Sequence, residues 1–191
     1  KTIGYDVNSR RINELINGED ITGEVSKQDL KKSNLEFTLS EQDIKDCNIY
    51  IVTVPTPIDN SKKPDLSALK SASSLVGKAI SKGDTVIFES TVYPGCTRQD
   101  CIPIIELNSS LKLDKDFHCG YSPERINPGD KQRTLRSITK ITSGSSDIAL
   151  KIVDELYSSI ITEAKTYPVK SIEIAEAAKV IENAQRDLNI A

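Results

Sequence analysis

Short apolar runs alternate along this chain with segments in which apolar residues recur at helical spacing. Two runs, NIYIVTV at 48–54 and TVIF at 85–88, are almost wholly apolar or β-branched, as in strands buried on both faces. The same pattern predicts further strands at 2–6, 35–39, 117–121, 138–142 and near 163–166. It predicts helices at 12–16, 26–31, 66–80, 97–107, 146–156 and from about 169 to the end. Asp65, Thr97 and either Ser146 or Asp147 are the predicted helix caps.

Strands that alternate with helices in this way are typical of βαβ units. The predicted fold class is therefore α/β, with a doubly wound and mostly parallel sheet. In such sheets ligands bind in the loops at the carboxyl ends of the strands. Asp6 and the segments 54–57, 89–95 and 121–130 occupy those loops.

Charge and composition exclude several classes of function. The chain has 25 Lys and Arg against 28 Asp and Glu, whereas a protein that binds a nucleic-acid backbone carries a basic excess, so no nucleic-acid partner is expected. No window approaches ~18 uninterrupted apolar residues, so no membrane partner is expected. The four cysteines include no CxxC pair and the chain has a single His, so no metal site is expected. The cysteines are expected to be reduced thiols, which favours a cytoplasmic protein.

Asp6 ends the first predicted strand, where dinucleotide-binding folds place an acid that binds the adenosine ribose. Arg11, in the first turns of the next helix, lies close enough to flank the same ribose. Asp6 can equally be a helix N-cap or a solvated acid, because no GxG motif precedes it. A carboxylate in this place favours NAD over NADP, since it repels a 2′-phosphate.

Two of the loops combine stiffness with hydroxyl groups. The prolines of TVPTP at 53–57 stiffen a turn, and that structural role is sufficient to explain them. In ESTVYPG at 89–95, Thr91 can hold a water or a cofactor amide. Ser90 and Thr91 can also merely satisfy the loop backbone, so both interpretations stay open.

The remaining candidates are charged. Glu124, next to Arg125, can act as a general base, although an ordinary surface loop has a similar composition. Lys179 and Asn183 are four residues apart on the last predicted helix, so they share one face and can stabilise an oxyanion together. A solvated face is the commoner explanation for a helical lysine.

Four segments taken together resemble the UDP-glucose/GDP-mannose dehydrogenase family: TVPTPIDN (53–60), ESTVYPGCT (89–97), YSPERINPGD (121–130) and AEAAKVIENAQRDLNIA (175–191). The likeness is closest to the branch that acts on UDP-N-acetylhexosamines in bacterial capsule, Vi-antigen and O-antigen pathways. It implies a Rossmann-type NAD-binding domain at 1–167 without its first strand. It also implies that 168–191 begin the central helix, which leads to a second domain and forms a homodimer interface.

The resemblance implies oxidation of the C6 alcohol of a UDP-sugar to a uronic acid, in two hydride transfers to NAD. The residues it implicates in catalysis are Lys179, Asn183, Glu124 and Thr91. Those it implicates in cofactor binding are Asp6, Arg11, Val54, Pro55, Thr56, Ser90 and Thr91. Two other functions stay open, a two-electron β-hydroxyacid dehydrogenase and a non-catalytic nucleotide-binding module.

Two parts of the family pattern are expected outside these residues. The Gly-rich turn is expected before Lys1 and the nucleophilic cysteine beyond Ala191, so we expect the protein to continue past both ends. Cys47, Cys101 and Cys119 are interpreted as small buried apolar residues. Cys96, although near the site, is interpreted as non-catalytic.

Overall fold

The computed structural model describes residues 1–59, 61–124 and 135–190, which form two compact units. The first unit is Lys1–Asp46, and the described residues of the second begin at Cys47. Both units are built from parallel βαβ connections, so the predicted α/β class with a mostly parallel sheet is confirmed. The predicted domain boundary at 167/168 stays a prediction.

The first unit pairs two parallel strands across two short helices. Its elements are β1 (Thr2–Tyr5), α1 (Ser9–Ile16), α2 (Lys27–Lys32) and β2 (Leu35–Thr38). Asn8 is the N-cap of α1, because its side chain accepts a hydrogen bond from the backbone N–H of Arg11. Asp6 precedes this cap and accepts from the backbone N–H of Asn8 at 2.8 Å.

Asp20 organises the loop between α1 and α2. Its carboxylate lies 2.6 Å from the Arg11 guanidinium and 2.7 Å from the Thr22 hydroxyl, and it also accepts from the backbone N–H groups of Glu24 and Val25. Burial alone raises the pKa of Asp20, but the hydrogen bonds from Thr22, Val25 and Arg11 outweigh this effect. The pKa is therefore held well below its usual range.

The second unit contains one five-stranded sheet with the order β3-β4-β5-β6-β7. The strands are β3 (Ile49–Val52), β4 (Thr85–Phe88), β5 (His118–Tyr121), β6 (Lys140–Gly144) and β7 (Thr166–Val169). All neighbours are parallel except β5 and β6. The helices are α3 (Ser67–Ala79), α4 (Ile102–Ser109), α5 (Asp147–Ile160) and α6 (Ile172–Ile190), and a π-helical turn (Thr97–Cys101) leads into α4.

The core of this unit lies on β4 and the strands beside it. Every residue of β4 is buried, as the apolar run predicts. The same prediction is wrong for β3, because its alternate residues Ile49 and Ile51 are exposed while Tyr50 and Val52 are buried. Helix α3 packs on β3, and an edge strand with one covered face needs only every second side chain to be apolar. On β6, a Cβ at Gly144 would lie 2.1 Å from the Leu150 backbone nitrogen. Helix α5 can therefore pack this close to β6 only because residue 144 is a glycine and has no side chain.

The last strand lies three residues later than predicted, at Thr166–Val169, and α6 begins at Ile172 instead of 169. The shift arises because Pro168 pairs with Thr142 within the sheet. Proline lacks a backbone N–H, which an edge strand such as β7 tolerates. Within the described part of the chain, no helix has the length and apolarity needed to cross a bilayer.

The Asp20 contacts predict a pH-dependent stability of the first unit. A carboxyl whose pKa is lowered in the fold contributes stability above its unfolded pKa of about 3.9, and this contribution is lost as the pH falls further. Asp20→Asn should therefore reduce hydrogen-exchange protection of the Glu24 and Val25 amides at neutral pH. The difference in protection between the variant and the unmodified protein should become smaller below about pH 4, where the Asp20 contribution is lost.

The matched control is Asp46→Asn, at an exposed carboxylate of the same unit. It should leave the protection of those two amides unchanged. An Asp20→Asn protein with full protection at neutral pH would contradict the role assigned to Asp20.

Candidate active site

Hydrogen bonds join the loops that follow β3 and β4. The buried Ser90 hydroxyl donates to the Val54 carbonyl at 2.6 Å, and the Tyr121 hydroxyl donates to the Ser90 carbonyl at 3.1 Å. The Ser90 hydroxyl therefore holds Val54 in place, and its predicted part in cofactor binding stays a prediction. Thr91, the next residue, is exposed at the carboxyl end of the sheet.

Thr56 carries an unsatisfied polar group in the loop after β3. Its hydroxyl oxygen is buried and has no hydrogen-bond partner among the described residues. Buried hydroxyls usually have a partner, so one without a partner fits a loop that binds a polar ligand. Pro55, which precedes it, is exposed and fixes the backbone of the same turn. This loop therefore fits the predicted cofactor contact.

The segment 122–124 follows β5 and is anchored to neighbouring strands. The Ser122 hydroxyl donates to the Ile141 carbonyl at 2.6 Å, and the Ser122 backbone N–H donates to the Phe88 carbonyl at 3.0 Å. Glu124 comes two residues later with a half-exposed carboxylate. The rest of the predicted loop, 125–130, including Arg125, lies outside the described residues.

Helix α6 brings two more predicted groups to this region. The ammonium group of Lys179 donates a hydrogen bond to the backbone carbonyl of Glu124. Asn183, one turn further along, accepts from the Arg186 guanidinium at 2.7 Å through its side-chain oxygen. That contact leaves the amide nitrogen of Asn183 as the end that can donate. Lys179 and Glu124 are thus in direct contact. Asn183 lies on the same face of α6 as Lys179, because the two residues are four positions apart.

The second turn of α6 also contributes Glu176, which is not among the site residues predicted from the sequence. Its carboxylate is fully buried and accepts from the backbone N–H groups of Gly95 at 2.5 Å and Thr97 at 2.9 Å. Burial raises the pKa of Glu176 above its ordinary value, although these hydrogen bonds partly offset the effect. The prediction that the Thr97 hydroxyl caps the following helix is wrong, because a carboxylate from another helix takes that role.

A second buried charge, Lys140, was not singled out by the sequence. Its ammonium group lies 3.0 Å from Glu89 and 3.6 Å from Glu124, and 4.8 Å from the centre of the Tyr157 ring. The Tyr157 hydroxyl donates to the same Glu89 oxygen at 2.5 Å. Burial and the neighbouring Glu89 raise the pKa of Tyr157. The sequence feature that could have identified Lys140 as a buried charge is its position at the start of a strand whose other residues are apolar or small.

In the first unit, Arg11 has a partner that the sequence did not indicate. This side chain pairs with Asp20, as described above, and no contact with Asp6 is among the interactions described. Asp6 remains exposed at the carboxyl end of β1, with one oxygen accepting from the Asn8 backbone. One terminal nitrogen of the Arg11 guanidinium binds Asp20, and the other is buried without a hydrogen-bond partner among the described residues. The predicted roles of Asp6 and Arg11 at the ribose stay predictions.

The cysteines have the environment of core residues. Cys96, Cys101 and Cys119 are buried, whereas Cys47, expected to be buried, is only partly so. A hydrogen bond with Cys101, together with burial, raises the pKa of Cys96, and burial raises that of Cys119. Both thus favour the protonated thiol, which is a poor nucleophile. Among the residues described, no group of His, Cys, Asp and Glu side chains could hold a metal ion.

A parallel sheet whose carboxyl-end loops gather hydroxyls, a carboxylate and a helix lysine is typical of dinucleotide-dependent dehydrogenases. The chain belongs to the UDP-glucose/GDP-mannose dehydrogenase family, whose NAD-binding domain matches residues 1–161. The NAD-binding assignment made from sequence is confirmed, as is the family.

Relatives of known name cover the whole chain. It is 56% identical over 190 residues to a UDP-N-acetyl-D-glucosamine 6-dehydrogenase of Pseudomonas aeruginosa, covering 99% of this chain and 45% of the relative. It is 53% identical over 192 residues to an enzyme of the same name from Salmonella typhi, covering 100% of this chain and 45% of that relative. The chain therefore spans less than half the length of these relatives.

Solved structures give the same fold. The structure of a UDP-D-ManNAc dehydrogenase from Pyrococcus horikoshii superposes with a TM-score of 0.89 at 32% identity, over 98% of this chain and 45% of that one. The predicted Rossmann-type α/β fold is therefore confirmed.

The Glu176 contacts predict a measurable loss of stability. Glu176→Ala leaves the Gly95 and Thr97 amides buried without an acceptor, which costs about 1–3 kcal/mol for each of them. The expected result is a lower free energy of unfolding in urea. Glu176→Gln keeps one acceptor oxygen, so it should lose less.

The control is Glu173→Ala, one turn earlier on the same helix. Glu173 pairs with Arg98 at 2.9 Å, with both side chains substantially exposed, so its removal should cost below about 1 kcal/mol. Equal losses for Glu173→Ala and Glu176→Ala would contradict the capping role of Glu176.

Proposed function

We propose that this chain is the NAD-binding part of a nucleotide-sugar 6-dehydrogenase that oxidises the C6 alcohol of a UDP-N-acetylhexosamine to the uronic acid. The observation that carries the proposal is the contact between Lys179 and Glu124, which joins an oxyanion-stabilising group to a base at the rim of the sheet. The names of the most similar relatives support the substrate class.

In this proposal the helix groups act on the oxygen at C6. Lys179 donates to that oxygen and assists removal of the alcohol proton, and Asn183 donates through its amide nitrogen. Both stabilise the negative charge that develops on oxygen as hydride leaves carbon. When bound, NAD supplies the hydride acceptor. The first oxidation gives an aldehyde and the second an acyl group.

In this proposal the second oxidation uses a cysteine thiolate, which we expect outside these residues. The thiolate adds to the aldehyde carbon, and loss of a second hydride leaves a thioester. Glu124 then takes a proton from a water molecule held by Thr91, the water oxygen bonds to the acyl carbon, and the carbon–sulfur bond breaks. The products are the uronic acid and the regenerated thiolate.

The loops after β3 and β4 are proposed to hold the cofactor. Thr56 offers its unpartnered hydroxyl, and Val54 and Pro55 offer backbone surface, with Val54 held by Ser90. Thr91 is exposed beside them. In the first unit, Asp6 is proposed to accept from the adenosine ribose. Arg11 is proposed to flank the same ribose through the guanidinium nitrogen that has no partner among the described residues, while its other terminal nitrogen binds Asp20.

The test of this function is the number of NADH molecules formed per sugar consumed by the full-length protein. Two NADH per UDP-N-acetylhexosamine are expected, because the alcohol is oxidised to a carboxylate. One NADH per sugar would instead indicate a two-electron hydroxyacid-type dehydrogenase. Lys179→Ala should lower turnover by about a hundredfold, and unchanged turnover would contradict the role proposed for Lys179. Absence of NADH formation by the unmodified protein would indicate a nucleotide-binding module without catalysis.

A homodimer through α6 is the proposed assembly. Ile174, Ile181 and Leu188 are exposed apolar residues spaced by seven along this helix, so they form one stripe. An apolar stripe on a long helix is suited to packing against a second copy. No membrane or nucleic-acid partner is proposed.

The assembly is tested by placing a charge in the stripe. Ile181→Glu in the full-length protein should shift the mass measured by light scattering from dimer towards monomer, because a buried unpaired charge is costly. Ile190→Glu makes the same substitution at an exposed isoleucine on the opposite face of the helix, two and a half turns after Ile181, and should leave the mass unchanged. A monomeric unmodified protein would contradict the proposed assembly.

A further inference from the structure

Lys140 occupies an unusual position for a lysine. It is the first residue of β6, and its side chain has no exposure to solvent. A buried ammonium group is strongly unfavourable unless anions and hydrogen-bond acceptors surround it. The identity of its partners therefore shows what the charge does in this protein.

One side of Lys140 faces a fixed carboxylate. Glu89, which follows β4, lies 3.0 Å from the ammonium nitrogen and also accepts the Tyr157 hydroxyl at 2.5 Å. The Tyr157 ring, from α5, lies beside the same ammonium group at 4.8 Å. Glu89 and Tyr157 thus hold Lys140 in one place, as a rigid support from the core.

The other side of Lys140 faces the segment that carries the proposed base. The ammonium nitrogen lies 3.4 Å from the Pro123 carbonyl and 3.6 Å from the Glu124 carboxylate. Lys179 reaches the Glu124 carbonyl from α6. The backbone of 123–124 is therefore held between two lysines, and Lys140 also lies against the Glu124 carboxylate.

We propose that Lys140 is a positioning residue for hydrolysis, which orients the Glu124 carboxylate towards the attacking water. This inference rests on the proposed function, because Glu124 is the base only in that reaction. Lys140 takes no part in either oxidation. Displacement of a catalytic group by about 1 Å can cost a hundredfold in rate, so loss of this support should slow the hydrolytic step selectively.

The competing explanation is that Lys140 serves only as the counterion of Glu89, its nearest carboxylate. The single variant Lys140→Met cannot separate the two, because it leaves Glu89 buried without a cation. The double variant Lys140→Met with Glu89→Gln removes both charges and keeps an acceptor for the Tyr157 hydroxyl. It therefore restores charge balance in the core while Glu124 still lacks its support.

The experiment follows NADH formation by the full-length double variant mixed rapidly with NAD and UDP-N-acetylglucosamine. We expect a burst of two NADH per active site, because both oxidations precede hydrolysis, followed by a steady-state rate about tenfold to a hundredfold below normal. Hydroxylamine, a nucleophile that needs no general base, should restore turnover by cleaving the thioester. The melting temperature and the NAD affinity of the double variant, compared with those of the unmodified enzyme, show whether the variant is folded.

The matched control is Lys151→Met, at an exposed lysine that pairs with Glu155 within α5. Its burst and steady-state rate should stay within about twofold of the unmodified enzyme. A normal steady-state rate in the double variant would overturn the proposal, since Lys140 would then only neutralise Glu89. A burst that falls in proportion to the steady-state rate would also overturn it. Failure of the unmodified enzyme to form NADH would overturn the proposed function itself.

Discussion

Two charged side chains that are buried in the second unit, Lys140 and Glu176, constrain the geometry of the candidate site. A buried charge must be matched by oppositely charged groups or hydrogen bonds, or the fold loses stability. The partners of Glu176 are backbone amides of the loop after β4, and those of Lys140 include the segment after β5. The contacts that neutralise or hydrogen-bond these two charges therefore hold in place the loops of the candidate site.

This arrangement links the parts of the site to one another. Glu176 and Lys179 lie one turn apart on α6, so the helix that binds the 95–97 backbone also reaches Glu124. Ser90 ties the loop after β4 to the loop after β3. A change in any of these elements is transmitted to the others through direct hydrogen bonds, which preorganises the polar groups before a ligand binds.

The interior that holds these charges also makes Cys96 and Cys119 unsuitable as nucleophiles. Cys96 and Cys119 lie in the packed interior, where burial raises the pKa of both thiols. The exposed rim of the sheet presents carboxylate, hydroxyl and ammonium groups instead. The division of labour in the proposed reaction follows from this, with proton transfer and charge stabilisation in this chain and covalent chemistry elsewhere.

The sequence alone determined the order of strands and helices along the chain and the family, because these depend on local periodicity and on short motifs. It also predicted which loops hold the candidate site. It did not determine that β3 is exposed on one face, that Pro168 lies within an edge strand, or that Arg11 pairs with Asp20. Nor did it reveal the roles of Lys140 and Glu176, whose partners are distant in the chain. Only tertiary structure decides such contacts, because burial and pairing depend on which segments meet in space.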